Sequence, residues 1–207
     1  MIAIDHVILM VDDLDRAAEE MLQRHGLASI PGGRHPGHGT GNRIVPLGAA
    51  YLELMAVVEP AEADRSPLGR FVLEHASSEP NPTSLCLRTD DIGPIATALG
   101  EEPLPMSRAT PDGRTLSWLL AGLSGMLGPG RLPFFIEWQV APGDHPGEAS
   151  APHTIAPRGI ASVTVGRLPA TLAGLVSEVP GLVEDDGPPG IGRVVVSTDR
   201  GDVVLGG

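Results

Sequence analysis

Lysine is absent from this chain: all 14 of its basic residues are arginine. That absence excludes Schiff-base catalysis and a phosphate-cradling P-loop, because both depend on a lysine amine. A single cysteine, Cys86, sits within an apolar run and cannot form an internal disulfide, which fits a reducing compartment. Aromatic residues make up only 3% of the chain, with two tryptophans, so each tryptophan is either a core anchor or a ligand platform. No apolar stretch is long enough to span a bilayer, and the start Met1-Ile2-Ala3-Ile4-Asp5-His6 lacks a basic targeting region. The expectation is a cytoplasmic protein with no membrane partner. Positive charge is scarce as well. With a net charge of −12 and scattered arginines, the chain lacks the clustered basic face that nucleic acid requires.

What remains is apolar and rich in turns. Across 207 residues, 42% are hydrophobic and there are 27 glycines and 21 prolines, a composition of short strands and many turns. Residues Ile2 to Val11 read as a strand. Asp12 and Asp13 then cap a helix whose apolar positions Leu14, Ala17, Ala18, Met21 and Leu22 form one face, and Gly26 stops it. The segment Gly32-Gly33-Arg34-His35-Pro36-Gly37-His38-Gly39-Thr40-Gly41-Asn42 reads as a polar, mobile loop. Strands Arg43 to Pro46 and Ala50 to Val57 follow it, and Ser66-Pro67 starts a helix in the connection beyond.

The pattern then restarts. Thr83 to Arg88 is a strand, Asp90 and Asp91 cap a helix ending at Gly100, and Pro111-Asp112-Gly113 makes a turn. Thr115 to Ala121 and Pro133 to Val140 are strand-like. A third start comes at Ile160 to Val165, with a helix from Ala170 to Glu178 and a closing hairpin around Asp199-Arg200-Gly201. Self-similarity supports this division. Ile4 to Asp13 aligns with Pro82 to Asp91, and Tyr51-Leu52-Glu53-Leu54 aligns with Phe135-Ile136-Glu137-Trp138. The expected organisation is module one at 1–58, a helical connection at 59–81, module two at 82–141, a linker at 142–157 and a shortened third module at 158–207.

A first strand carrying Asp5-His6-Val7, a last strand reading Tyr51-Leu52-Glu53-Leu54, and the segments Gly32 to His35 and Gly39 to Asn42 resemble the glyoxalase-like branch of the vicinal-oxygen-chelate superfamily. The resemblance implies an α+β fold, with repeated βαβββ modules paired into a curved mixed sheet and helices outside. It also implies a divalent metal (Zn, Fe, Mn or Ni) on His6, Glu53 and Glu137, while Ser84 fills the fourth ligand place poorly.

Strand alternation puts His6 with Ile4, Ile8 and Met10, and Glu53 with Tyr51 and Met55. It is also taken to place Glu137 with Phe135 inside the cup and Trp138 against a helix. Two inward carboxylates need a counter-charge, which a metal or a buried arginine such as Arg34, Arg88 or Arg114 would provide. Without a metal, His6 is a hydrogen-bonded core residue. Glu137 and His35 are candidate acid–base residues, and Arg34, His38, Asn42 and Trp118 are candidate ligand contacts. His25, His75, His145 and His153 read as surface or linker residues, and Cys86 as a small buried hydrophobe.

Two functions are open on this evidence. One is a metal-dependent lyase, isomerase or dioxygenase acting on a small oxygenated molecule. The other is a metal-free protein of the same fold that sequesters a small molecule such as an antibiotic. An odd number of modules leaves one sheet unpaired, a route to a homodimer.

Overall fold

The computed structural model describes residues 1–110 and 113–207, so Pro111 and Asp112 of the expected turn lie outside the described residues. Module one runs β1 (Ile2–Met10), α1 (Leu14–His25), β2 (Ile30–His35), β3 (Thr40–Pro46) and β4 (Tyr51–Val57). Helices α2 (Pro60–Ala63) and α3 (Pro67–His75) connect it to module two. That module comprises β5 (Asn81–Thr89), α4 (Gly93–Leu99), β6 (Leu104–Ala109), β7 (Thr115–Ala121), α5 (Leu123–Leu127) and β8 (Phe134–Trp138). The two modules share one eight-stranded sheet in the order β2-β3-β4-β1-β5-β8-β7-β6. Each is built alike, with its first strand parallel to its last, and the modules join through antiparallel β1 and β5. The fold is α+β, a curved and nearly closed sheet of repeated βαβββ elements with helices outside it.

Local sequence explains the helix boundaries. The Asp13 carboxylate accepts from the backbone N–H groups of Asp15 and Arg16 and so starts α1. Gly26 ends it at φ 69°, the left-handed conformation that returns the chain's N–H to Leu22 and Met21 carbonyls. Ser66 caps α3 through the Gly69 N–H, with Pro67 at its first position. Helix α4 departs from expectation, because its cap is Ile92 and no side chain of its own caps it. The Glu137 carboxylate fills that place and accepts from the Ile92 backbone N–H at 2.8 Å.

The strands have two faces and two cores. Val7, Leu9 and Val11 of the first strand and its extension pack against Ala17 and Met21 of α1. Ile8, Met10, Met55, Phe134 and Ile136 line the concave side. Ile4 does not share the face of Ile8, as simple alternation would have it. Between β1 and β5, Ile4 pairs Leu87 while His6 pairs Cys86, so Asp5 is an extra residue with no cross-strand partner. Such a bulge breaks the period of two and re-aims neighbouring side chains. It moves Ile4 into the outer core.

The Gly32 to Asn42 segment is no loop. It forms the β2–β3 hairpin, with a turn only at 36–39.

The third unit keeps the element order but not the pairing. It consists of β9 (Pro157–Val165), α6 (Ala170–Val176), β10 (Leu182–Glu184), β11 (Ile191–Thr198) and β12 (Val203–Gly206). Its sheet runs β10-β9-β11-β12, whereas the full modules close their first strand on their last. Val163, Val194 and Val196 from this sheet join the outer core, so it packs on the convex side of the large sheet and not on the cup.

The expected linker at 142–157 is a strap stitched to module one. Gly48 donates its N–H to the Gly147 carbonyl at 2.9 Å, and Thr154 donates to Gly26. His153 accepts from the Ala28 N–H at Nδ1 and bridges to the Pro46 carbonyl through Nε2, 3.0 Å each. This pattern requires the neutral ring, and burial lowers its pKa from the ordinary histidine value, only partly offset by the Pro46 hydrogen bond. Its contribution is therefore complete above about pH 6.5 and lost as pH falls below that value. His153→Ala is expected to lose about 1–2 kcal/mol in urea unfolding at pH 7.5. Its stability should also depend less steeply on pH just below about 6.5. An unchanged acid slope would separate His153 from this role.

Candidate functional site

The concave face encloses a cavity of about 210 Å³. One end is polar, with His6 on β1, His35 on β2, Asn42 on β3, Glu53 on β4 and Arg108 on β6. The rest is apolar, walled chiefly by Met55, Met106, Met126, Trp118, Leu120 and Phe134. A cavity of this kind, apolar with a few convergent polar groups, is the usual form of a small-molecule site.

At the polar end each inward group is held from behind by another residue. The bulge turns Asp5 to the same side as His6, so its Oδ1 accepts from His6 Nδ1 at 2.6 Å. Asp5 Oδ2 accepts from Trp138 Nε1 and from His145 Nε2, both at 3.0 Å. Burial would raise the Asp5 carboxyl, but the hydrogen bonds and charges of His145 and His6 outweigh it. The carboxyl is held well below the usual carboxylate range, and Asp5 is an anion.

With Nδ1 donating to Asp5, His6 turns Nε2 toward Glu53 Oε2 at 3.4 Å. The other Glu53 oxygen accepts from Asn42 Nδ2 at 2.5 Å. His35 contacts Thr40 Oγ1 through Nδ1 at 2.9 Å and points Nε2 toward Glu53 Oε1 at 4.0 Å. Burial lowers the His35 pKa from its ordinary value, against the pull of Glu53, which favours the neutral ring. His38 reaches Ser66 Oγ at 2.7 Å from the hairpin turn.

His6 Nε2 and a Glu53 carboxylate oxygen face each other at 3.4 Å, a gap that either a ring proton or a cation bridges. A first-row divalent ion bonded to both near 2.0–2.2 Å holds such ligands about 3.4 Å apart at a tetrahedral angle. The Asp5–His6 contact is the carboxylate–histidine arrangement that supports metal-bound imidazole. Imidazole and carboxylate are donor types that a transition metal accepts. His6 and Glu53 present two donor atoms to each other, and His35 adds a second imidazole on the same wall.

Another group, Asp5, His6 and Cys86, brings one ligand atom each within 4.8 Å and is a potential three-ligand cluster. Its chemistry is less suited. Both Asp5 oxygens already accept hydrogen bonds, and burial pushes the Cys86 thiol well above its ordinary value, keeping it protonated.

The structure therefore brings His6, Glu53, His35, His38, Asn42 and Trp118 onto one cavity wall. It does not bring Glu137 there. In β8, Phe134, Ile136 and Trp138 face the cavity, and Glu137 points outward to the start of α4. The assignment of Glu137 as metal ligand and acid–base residue is thus corrected, as is that of Trp138 to a helix contact. Trp138 stands 5.3 Å from Trp118 on the cavity wall.

Arg34 is also displaced. Its side chain is exposed, 3.9 Å from Glu59, and does not line the cavity. Ser84 Oγ is buried without a hydrogen-bond partner among the described residues and does not reach the cavity wall. Of the arginines considered as counter-charges, Arg88 donates to the Ala49 carbonyl and Arg114 pairs with Asp144.

Asp5, His145 and Arg108 were not identified as site residues from sequence. Asp5 could have been suspected as an acid inside an apolar strand beside a histidine. Nothing in the local sequence marks His145 or Arg108.

Comparison with known proteins agrees with this architecture. The model of the glyoxalase-like domain family matches residues 4–179. No curated protein sequence matches. Among solved structures, a hypothetical protein from Staphylococcus aureus is similar over 99% of this chain and 85% of its own, with 19% identity and a TM-score of 0.62. Methylmalonyl-CoA epimerase from Streptomyces coelicolor, in complex with 2-nitronate-propionyl-CoA, aligns with 67% of this chain and 98% of its own, at 17% identity and a TM-score of 0.47. The Mycobacterium tuberculosis epimerase aligns with 68% of this chain and 89% of its own, at 19% identity and a TM-score of 0.45. These likenesses concern the fold.

Proposed function

The chain belongs to the glyoxalase-like domain family, and from that premise we propose that it performs metal-assisted chemistry on a small oxygen-bearing molecule held in the cup. The observation that carries this reading is the facing pair of His6 Nε2 and Glu53 Oε2 at 3.4 Å, each backed by its own hydrogen-bond partner. His6 and Glu53 would hold the ion, with His35 beside them as a further imidazole. When bound, a divalent ion polarises a substrate oxygen and stabilises negative charge that develops on it.

The remaining tasks fall to the protein. Asp5 fixes the His6 tautomer and keeps Nε2 directed at the cavity. Asn42 holds one Glu53 oxygen and leaves the other facing His6 Nε2 as the ligand atom. Were Glu53 to leave the ion, its Oε2 would be the group placed to take a proton from a carbon or hydroxyl beside the polarised oxygen. The methionine and tryptophan wall keeps water from this end and strengthens every charge interaction within it. The divergence of module two, which presents Phe134, Ile136 and Trp138, confines ligation to module one and makes the opposite wall a substrate surface.

Elemental analysis tests the reading. Protein purified without chelator is expected to carry about one transition metal per chain, and His6→Ala or Glu53→Ala should lower that content at least tenfold. Wild-type protein that binds no added Zn²⁺, Mn²⁺, Fe²⁺ or Ni²⁺ by calorimetry would overturn it. A metal-free preparation that binds small ligands in the same cavity would favour sequestration instead.

A further inference from the structure

Among the described residues, Arg108 is a buried cation without a partner of opposite charge. It is 7% exposed, stands on edge strand β6, and lines the polar end of the cavity. An Nη1 hydrogen of Arg108 is donated to the Gly32 carbonyl on β2, at 2.8 Å. Among the described residues no carboxylate lies within 4.0 Å of it. A guanidinium has five N–H donors in a planar fork, and a buried one is costly until an anion meets it. Along its own strand the cavity neighbours are apolar, Met106 and Leu104.

The geometry points to Arg108 as the receptor of a ligand carboxylate. The substrate of the proposed reaction is then an apolar organic acid, with a single ring or branched tail lying against Met55, Met126 and Trp118. This inference rests on the reading of the cavity as the reaction site and names its substrate class. Size is compatible with it: a cavity of about 150 Å³ accepts benzene, so 210 Å³ holds one ring with a short acid chain. Charge supports it too. Asp5 and Glu53 contribute two negative charges and Arg108 one positive, so with a divalent cation in place this end retains one net positive charge. A monoanion neutralises it. The planar fork favours a carboxylate in bidentate contact.

Both tryptophans of the chain, Trp118 and Trp138, lie on the cavity wall, so intrinsic fluorescence reports the cavity alone. The test compares 3-phenylpropionate with its uncharged amide, titrated against wild-type protein, Arg108→Met and Arg108→Lys. The acid is expected to quench wild-type fluorescence at least about tenfold more tightly than the amide. Arg108→Met should remove that preference while leaving amide affinity unchanged, and Arg108→Lys should retain part of it. Thermal melts check that each variant is folded, since Arg108 also ties β6 to β2. Equal affinity for acid and amide in wild-type protein overturns the proposal, as does a parallel loss of both in Arg108→Met. Metal content measured on the same samples separates the two ideas. In wild-type protein, no acid preference with metal retained condemns only the carboxylate assignment; absent metal with acid preference intact condemns only the metal.

Discussion

Asp5→Ala is expected to destabilise the protein by about 3–5 kcal/mol, among the largest effects of any single substitution. The carboxylate has no exposed surface and accepts from three donors on three separate parts of the chain: His6, Trp138 and His145. Removing it leaves an indole N–H and two imidazoles without their acceptor in a dry interior, and detaches the 142–157 strap from β1. The sign of the pH effect follows from the lowered Asp5 pKa. Its stabilisation is present above the unfolded value near 3.9 and is lost as pH falls through the much lower folded value. Wild-type protein should therefore lose stability below about pH 4, and the acid limb of Asp5→Ala should be shallower. Asp5→Asn separates the two roles of the residue. It fills the same volume but cannot accept as an anion, so metal affinity is expected to fall about 10–100-fold with a smaller loss of stability. Chemical denaturation and metal titration on both variants check this. Full stability in Asp5→Ala would contradict the network.

The amphipathic period of α1, its Asp13 cap, its Gly26 stop and the recurrence of strand-helix-strand order were legible because each depends on neighbours close in sequence. So was the inward face of Glu53, since β4 alternates without interruption: Tyr51, Glu53 and Met55 all meet the cavity. The failures occur where a single residue shifts phase or where polar positions are settled by distant partners. In β8 the run Phe134-Phe135-Ile136 is apolar on both faces, so alternation does not reveal which face is inward. Aligning Glu137 with Glu53 by the shape of the motif chose the wrong phase, and the helix α4 start consumed the carboxylate. The Asp5 bulge is likewise invisible without β5 beside it. His145 was assigned to a linker because Pro and Gly surround it; its role emerges from Asp5, 140 positions away. The hairpin at Ile30–His35 and Thr40–Pro46 was hidden by glycine, yet Gly32 is there to make room: a Cβ on it would lie 2.0 Å from the Asn42 side chain.

Glycine in the hairpin turn leads to the second large effect. Gly39→Ala is expected to cost about 2–5 kcal/mol and to impair ligand binding, whereas Gly37→Ala, two residues away, should cost only about 1–2 kcal/mol. Both glycines have positive φ, 81° and 65° for Gly37 and Gly39, so both substitutions incur left-handed strain. Only Gly39 is also pressed against backbone. A Cβ there would stand 2.3 Å from the Ala63 nitrogen and 2.4 Å from the Glu59 carbonyl, while at Gly37 nothing lies within 4 Å. Backbone on both sides leaves no flexible side chain to yield, so the turn and α2 must separate. That separation strains the bonds from Val58 and Glu59 to the Gly39 carbonyl and those from Gly37 and Gly39 to Glu62. His38 and His35 lie on either side of this turn, and His38 reaches across to Ser66 at the start of α3. Displacing the turn must therefore shift imidazoles on the cavity wall, and ligand quenching of Trp118 and Trp138 should weaken in Gly39→Ala but not in Gly37→Ala. Equal losses in the two variants would show that strain alone governs the turn and that its packing on the 60–63 helix does not hold the cavity in shape.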